Sequence, residues 1–505
     1  MKDADKSASS AEPSERFPSP VYADTVLAVN FDDAKKYFLD ALLDIEVTHT
    51  LMLARQGIMP EREARLCLEA LGKLDRAAIL AERYDGHCED LFFYIEDALA
   101  KACGADVAGK MHTARSRNDI DLTMYRLRLR GEVLRIASET LAARQVLMDL
   151  AAAHTETVMP AYTHTQPAQP TTFAHYLLAA IEFLGRDALR LRAAFATVNR
   201  SPLGACAITT TGFPIDRGYT ASLLGFEGLQ TNSYGAIAAI DYVSETAGVI
   251  ATLAVNLGKL VQDLLLWCTA EYGYLRLSDA YVQISSIMPQ KRNPVALEHT
   301  RILASKALGQ AQALLTCAHN TPFGDIVDSE DDLQPLLFSM CWDASRALQL
   351  FAGLMAKVEV DTERMRRRAG ENFLTVTELA DSLVRGEELS FRAAHHLVAG
   401  AVRAAGRDFS PEKIVTELER LAPQMLGRAL RRPRETWLAA LDPVHFTRIR
   451  EIPGGPGPKA VQAQLTAARE DQQEMLGWLD GKRALLKSAA ELSRVAISAL
   501  EKAVR

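Results

Sequence analysis

From Asp32 to Arg505, apolar positions recur at three- and four-residue spacing between Ala, Leu, Glu, Arg and Lys, with few alternating runs. That is the helical period, so the chain predicts an all-α protein. The stretch 235–273, "GAIAAIDYVSETAGVIATLAVNLGKLVQDLLLWCTAEYG", has no proline and stays periodic well past the ~11–12 residues of an average helix. Its apolar residues occupy more than one face, including Leu264–Leu265–Leu266–Trp267. A helix buried on several sides belongs at the centre of a bundle or in a subunit interface. A second long pattern runs from Thr171 to about Val198 and a third from Val295 to about His319.

Polar, Gly- or Pro-rich breaks fall at 111–119, 159–170, 201–219 and 322–332, and the Gly/Pro turn at 451–460 precedes a predicted final helical pair. They divide the chain into a disordered lead-in (1–20), an N-terminal helical domain (21–114), a central long-helix bundle (115–364) and a C-terminal helical domain (365–505).

At 48% hydrophobic and 24% charged, the 505 residues can bury a substantial interior. A net charge of −7 argues against nucleic-acid or anionic-membrane partners. The basic clusters "ERMRRRAG" and "RALRRPRE" therefore read as solvated helix faces. Seven scattered cysteines without a CxxC pair fit free, mostly buried thiols in a reducing compartment. The start has no apolar targeting core, and no window is expected to reach the ~18 apolar residues of a membrane span. The expected location is cytoplasmic.

There is no P-loop, no strand-borne GxGxxG, no HExxH, no GxSxG and no zinc-like spacing. That leaves chemistry without a metal or cofactor, or binding alone. Three polar breaks carry the candidate groups. "TARSRND" offers Arg115, Ser116, Arg117, Asn118 and Asp119. Its two guanidinium forks suit a carboxylate or phosphate, while the plainer alternative is a helix capped by Asn118 or Asp119. "YTHTQPAQP" puts Thr163, His164, Thr165 and Gln166 in one short loop. "ISSIMPQKRNP" brings Ser285, Ser286, Lys291 and Asn293 together, and an extended segment would project Lys291 and Asn293 to one side. The alternative is a polar turn stopped by Pro289 and Pro294. Loops so far apart in sequence are expected to converge at bundle ends, within one subunit or between several.

Together these blocks resemble the fumarase/aspartase superfamily, most closely its argininosuccinate lyase branch. "ISSIMPQKRNP" is similar to the signature GSSxMPxKxNP, "HTARSRND" to HTGRSRND, and "MPAYTHTQPAQPTTFAH" to MPGYTHxQxAQPxTFGH. Similarity continues through "TGFPIDR", "LSDAYVQISS" and "FRAAHHLV", from about residue 35 to 465. The resemblance implies a three-domain helical fold, a homotetramer whose active sites draw loops from three subunits, and anti elimination of fumarate from a succinyl group without metal or organic cofactor. It makes Ser285 the base, with Ser286 as fallback. Lys291 and Asn293 become stabilisers of the aci-carboxylate. His164 pairs with Glu298, either as acid or as carboxylate binder. Ser116, Arg117, Asn118, Thr163 and Gln166 are the implied holders of the succinyl carboxylates.

The departures lie on the amine side. Where the branch reads PLAYNKDLQEDKEPLF this chain reads "PFGDIVDSEDDLQPLLF", placing Asp325, Glu330 and Leu333 at the Tyr, Gln and Lys. Phe92 replaces a histidine, Gly235, Ala239 and Ile240 replace two acids and an arginine, and Ile284 replaces the signature's leading glycine. Added acids and a lost cation point away from arginine as the leaving group. The expectation is a small dicarboxylate-amine substrate such as a diamine mono- or disuccinate, with Asp325 and Glu330 binding the amine and Phe92 and Leu333 enlarging an apolar lining. Argininosuccinate itself is the alternative, and a non-catalytic structural descendant, as in lens protein, a more distant one.

Overall fold

The computed structural model describes residues 17–408 and 410–503. Residues 1–16 of the expected lead-in lie outside the described residues. Helical structure begins at Pro20, where the Ser19 hydroxyl accepts the Tyr22 N–H.

The N-terminal lobe contains α1 (Ala28–Arg55), α2 (Glu61–Gly72) and α3 (Leu91–Cys103). Asp90 caps α3 by accepting the Phe93 N–H at 3.0 Å. Five long helices follow: α4 (Arg117–Ala153), α5 (Phe173–Val198), α6 (Asp241–Trp267), α7 (Val295–Ala318) and α8 (Gln334–Met355). α4 packs on α5 and α8, α5 on α6, α6 on α7 and α7 on α8, so the five close into a ring. Its interior is filled by fully buried side chains such as Leu129, Ile136, Leu184, Leu257, Leu314 and Phe351. Removing one such leucine side chain costs about 2–5 kcal/mol, so the ring holds its ends firmly.

Three expectations are corrected here. The 235–273 pattern is two helices, because Ala239 is extended and separates Ser233–Ala238 from α6. α6 is also long and apolar enough to cross a membrane by length and composition, contrary to the expectation that no window would be. Val243, Ile250, Leu257 and Leu264 on this helix join the main core. The predicted final pair is one helix, α12 (Pro458–Ala503), of 46 residues.

Between the ring and that last helix lie α9 (Val376–Glu387), α10 (Phe391–Ala405) and α11 (Pro411–Leu426), which share a second apolar cluster with the fully buried Trp437. α12 leaves this cluster and returns to the first, packing Val461, Leu465, Met475 and Leu479 beside α4 and α5. The turn before it needs Gly455 and Gly457, since a Cβ at either would collide with the Arg450 carbonyl.

The proline-punctuated segment 159–170 is not an irregular loop. It forms an antiparallel hairpin of β1 (Val158–Thr163) and β2 (Gln166–Thr172), in register Val158↔Thr172 to Thr163↔Gln166 with an irregularity at Ala161/Tyr162. A second, very short ladder pairs β3 (Gln283–Ile284) with β4 (Arg292–Asn293) and pinches the segment between them into a closed loop.

Candidate active site

The first polar break is built into the start of α4. Ser116, rather than Asn118 or Asp119, is the N-cap, and Asp119 three positions on accepts the Ser116 N–H at 3.0 Å. The other Asp119 oxygen accepts the N–H groups of Gly204 at 2.7 Å and Cys206 at 3.0 Å. Burial raises the Asp119 pKa and these three donors pull it back. Asn118 donates to the Ala207 carbonyl at 3.1 Å and its side-chain oxygen accepts the Ser116 hydroxyl at 2.8 Å. The 201–219 segment is thereby moored beside Ser116.

The two arginines have different tasks. Arg115 is buried, and both its terminal nitrogens meet the carboxylate of Glu46 at 2.9 Å. Buried and ion-paired with Glu46, it is structural. His49 supports the same turn by contacting the Thr113 carbonyl at 2.9 Å, and burial with Arg115 nearby pushes its pKa down to about 3. Arg117 is part-exposed, with Nη1 2.9 Å from Asp90 and 3.1 Å from Glu89, while Nε is 4.0 Å from Asp121. Its Nη2 donates no hydrogen bond among the described residues.

Opposite Arg117 lies the 322–332 segment. The Tyr125 hydroxyl on α4 donates to Asp331 at 2.8 Å. The Glu330 pKa is pushed up to about 8 by burial, by its hydrogen bond with Asp325, and by the charges of Asp325 and Asp331. Asp121 is raised well above its ordinary value by burial and then by Asp331, and Asp331 and Asp90 are raised by burial too. Arg117 is the cation that acts on all four of these acids. Deeper in, the Tyr242 hydroxyl and the Gln334 amide are buried against each other.

Asp121, Asp331 and Tyr125 were missed by sequence reasoning. Asp121 stands one helical turn after Arg117, which is a local signal; Asp331 approaches only through the tertiary fold. Phe92 and Leu333 do not line an open cavity. Both are buried in the main core, and the Arg115 guanidinium stacks over Phe92 at 5.5 Å from its centroid.

The hairpin presents Thr163, His164 and Gln166 at its exposed tip. His164 and Thr165 form the two-residue turn with φ of 50° and 63°. Two positive φ values in succession match the twist of a tight hairpin, and for residues with side chains they store strain. The paired strands on either side hold the turn and carry the imidazole at the tip.

In the β3–β4 loop, Ser285 is half-buried and Ser286 exposed. The Ser285 oxygen accepts backbone N–H groups from Met288 at 3.1 Å and Ile287 at 3.4 Å. Donors aimed at a hydroxyl oxygen favour its ionised form. Ser286 has no such donors among the described residues. Arg292 anchors the loop base on Asp279 and the Leu277 carbonyl, whereas Lys291 is exposed and has no charge partner among the described residues. The lip is apolar, with Ile287 83% exposed. Asn293 is half-buried, and Glu298 is exposed in the first turn of α7.

Within one chain, then, Ser116, Arg117 and Asn118 assemble with Asp325 and Glu330. Thr163, His164 and Gln166 stand apart, as do Ser285, Ser286, Lys291, Asn293 and Glu298. No hydrogen bond or ion pair joins His164 to Glu298, or either to the Ser116 group, among the described residues.

Known proteins share the sequence and fold over most of the chain. Residues 66–309 match the family model described as lyase, and residues 373–446 that of the argininosuccinate lyase C-terminal region. Argininosuccinate lyase 2 of Agrobacterium fabrum is 43% identical over 90% of this chain and 91% of its own. Argininosuccinate lyase of Methanoculleus marisnigri is 40% identical over 91% and 92%. Among solved structures, an EDDS lyase variant with bound fumarate superposes with a TM-score of 0.84 at 32% identity, covering 95% of this chain and 96% of its own. The chain belongs to the fumarase/aspartase superfamily of lyases, beside the argininosuccinate lyase branch.

Proposed function

We propose that this carbon–nitrogen lyase releases fumarate from an N-substituted aspartate whose amine is not arginine, such as a diamine bearing one or two succinyl groups. The observation that carries the amine assignment is the cluster of carboxyls Asp90, Asp121, Glu330 and Asp331, of which Asp121 is buried and the others half-buried, around the Arg117 guanidinium. A site that already holds more acid than it can neutralise gains from a cationic amine and has no spare cation for an amino-acid carboxylate.

In the reaction we infer, the Ser285 alkoxide takes the Cβ proton of the succinyl group. Its two N–H donors offset the charge on the oxygen. The resulting aci-carboxylate dianion is stabilised by the Lys291 ammonium and the Asn293 amide in a loop that closes and excludes water. Ser116, Asn118, Thr163, Gln166 and the Nη2 of Arg117 hold the carboxylates. His164, tuned by Glu298, either protonates the departing nitrogen or binds a carboxylate. Expulsion of the amine on the opposite face from the lost proton gives fumarate.

A homotetramer would bring His164, Lys291 and Glu298 of different subunits onto the acid-lined pocket of another. The exposed apolar residues Val255 and Leu266 on α6 suit such an interface. The assembly is expected to act in the cytoplasm. Argininosuccinate is the second candidate, favoured by the names of the relatives in Agrobacterium fabrum and Methanoculleus marisnigri. Following fumarate absorbance with argininosuccinate and with diamine mono- and disuccinates separates the two. Faster turnover of a diamine succinate is expected, and faster turnover of argininosuccinate would overturn the assignment.

A further inference from the structure

Two of the seven cysteines are not isolated. Cys67 on α2 and Cys103, the last residue of α3, lie 36 positions apart, yet their Sγ atoms approach to 3.9 Å. Each thiol also leans on a carbonyl, Cys67 on Val107 at 3.7 Å and Cys103 on Leu99 at 3.1 Å. No other pair of thiols is in contact among the described residues. The two differ in access. Cys67 is fully buried, while Cys103 is half-buried between the exposed Ala102 and Gly104. Gly104 ends the helix with φ of 94°, a conformation that lets the chain turn sharply away from the sulfur. A disulfide bond is about 2.05 Å long, so closing the gap needs an approach of about 2 Å.

We propose that Cys67 and Cys103 are a reversible dithiol–disulfide pair, oxidised by a low-molecular-weight disulfide that enters at Cys103. The Cys103 thiolate attacks one sulfur of the disulfide RSSR and expels RS⁻, which takes up the proton that Cys103 lost. Cys67, once deprotonated, attacks the Cys103 sulfur of the mixed disulfide and expels the second RS⁻, which takes up the second proton. Two protein thiols are oxidised by two electrons, and RSSR is reduced to two RSH. Burial, then the neighbouring Cys103, pushes the Cys67 pKa up to about 12. The second step is therefore the slower one and quickens as pH rises.

The bond would tie α2 to α3, whose other end carries Asp90 against Arg117 at 2.9 Å. It is thus a clamp behind the acid-lined pocket, independent of which amine that pocket takes.

The test uses the reduced full-length protein with glutathione disulfide at pH 8, alkylation of remaining thiols, and non-reducing peptide mapping. A linked peptide pair containing Cys67 and Cys103 is expected, two hydrogens lighter than its reduced halves and lost on adding dithiothreitol. The midpoint of thermal unfolding should rise in the oxidised protein. Cys67→Ser should stall as a glutathione mixed disulfide on Cys103, and Cys103→Ser should leave Cys67 reduced. The wild-type map decides the matter even where a variant folds poorly. A mixed disulfide that persists on Cys103 would overturn the proposal. So would modification of the exposed Cys317 while Cys67 and Cys103 stay free.

Discussion

Around Arg117, three stretches of one chain supply acids, hydroxyls and amides that touch one another, whereas around His164, Lys291 and Glu298 the same chain supplies no side-chain partner among the described residues. The first region is half-buried and its electrostatics follow from burial. The second consists of exposed tips held in shape by short ladders. In the function proposed, the pocket around Arg117 sets what binds, and the tips, completed by other subunits, set whether chemistry occurs. Specificity and catalysis are thus separable by mutation, and the amine side can diverge while the elimination machinery stays intact.

The largest effect tests the tips. Ser285→Ala should lower kcat by about 10²–10⁴, with substrate binding, read by calorimetry, nearly unchanged. Ser286→Ala, one residue away, should keep most activity. Equal losses would merge the two hydroxyls into one role. Next, Lys291→Met should cost about 10²–10³ in kcat, measured by fumarate release, with little change in the pH midpoint of amine binding.

The acid-lined pocket responds differently. Folding raises the Glu330 pKa from its ordinary carboxylate range to about 8, so the free pocket keeps that proton at neutral pH. The sign follows from linkage: the unfolded chain gives up this proton first, so the contribution to stability is full at low pH and is lost as pH rises through about 8. A cationic amine favours the ionised carboxylate, so its affinity should climb across the same window. Glu330→Gln should flatten that profile while leaving the elimination step in place, as read by kcat against KM over pH. The smallest effect is structural: Ser116→Ala removes the cap of α4 and should lower stability by about 0.5–2 kcal/mol, visible in thermal unfolding.

The helical ring was legible because apolar residues keep period 3.6 wherever one helix packs on several others. The pattern from Thr171 to Val198 became Phe173–Val198, and that from Val295 to His319 became Val295–Ala318. The hairpin was not legible. Pro160 and Pro170 sit opposite each other in its register, and prolines suppress any strand pattern. Its turn is made by His164 and Thr165 rather than by the usual glycine or asparagine. Gly477 and Gly481 weaken the local case for one long last helix, yet Met475 and Leu479 bury against the main core and carry it through.

The candidate site divides in the same way. Ser116, Asn118, Thr163, His164 and Ser285 stand in local motifs and were named from them. Asp121 and Asp331 gain their character from burial against residues some 200 positions away, which no local pattern encodes. Phe92 and Leu333 illustrate the converse, since both stand at positions singled out by the motifs yet are buried in the core.

The central claim is an acid-lined amine pocket serving a serine-driven elimination, and the reverse reaction tests it most directly. Purified protein is given fumarate with equal concentrations of arginine and a short diamine, and the adducts are identified by mass spectrometry. Predominance of the diamine adduct, abolished in Ser285→Ala and reduced in Glu330→Gln, is the predicted result. Predominance of argininosuccinate, or a diamine adduct that forms undiminished without the Ser285 hydroxyl, would contradict it.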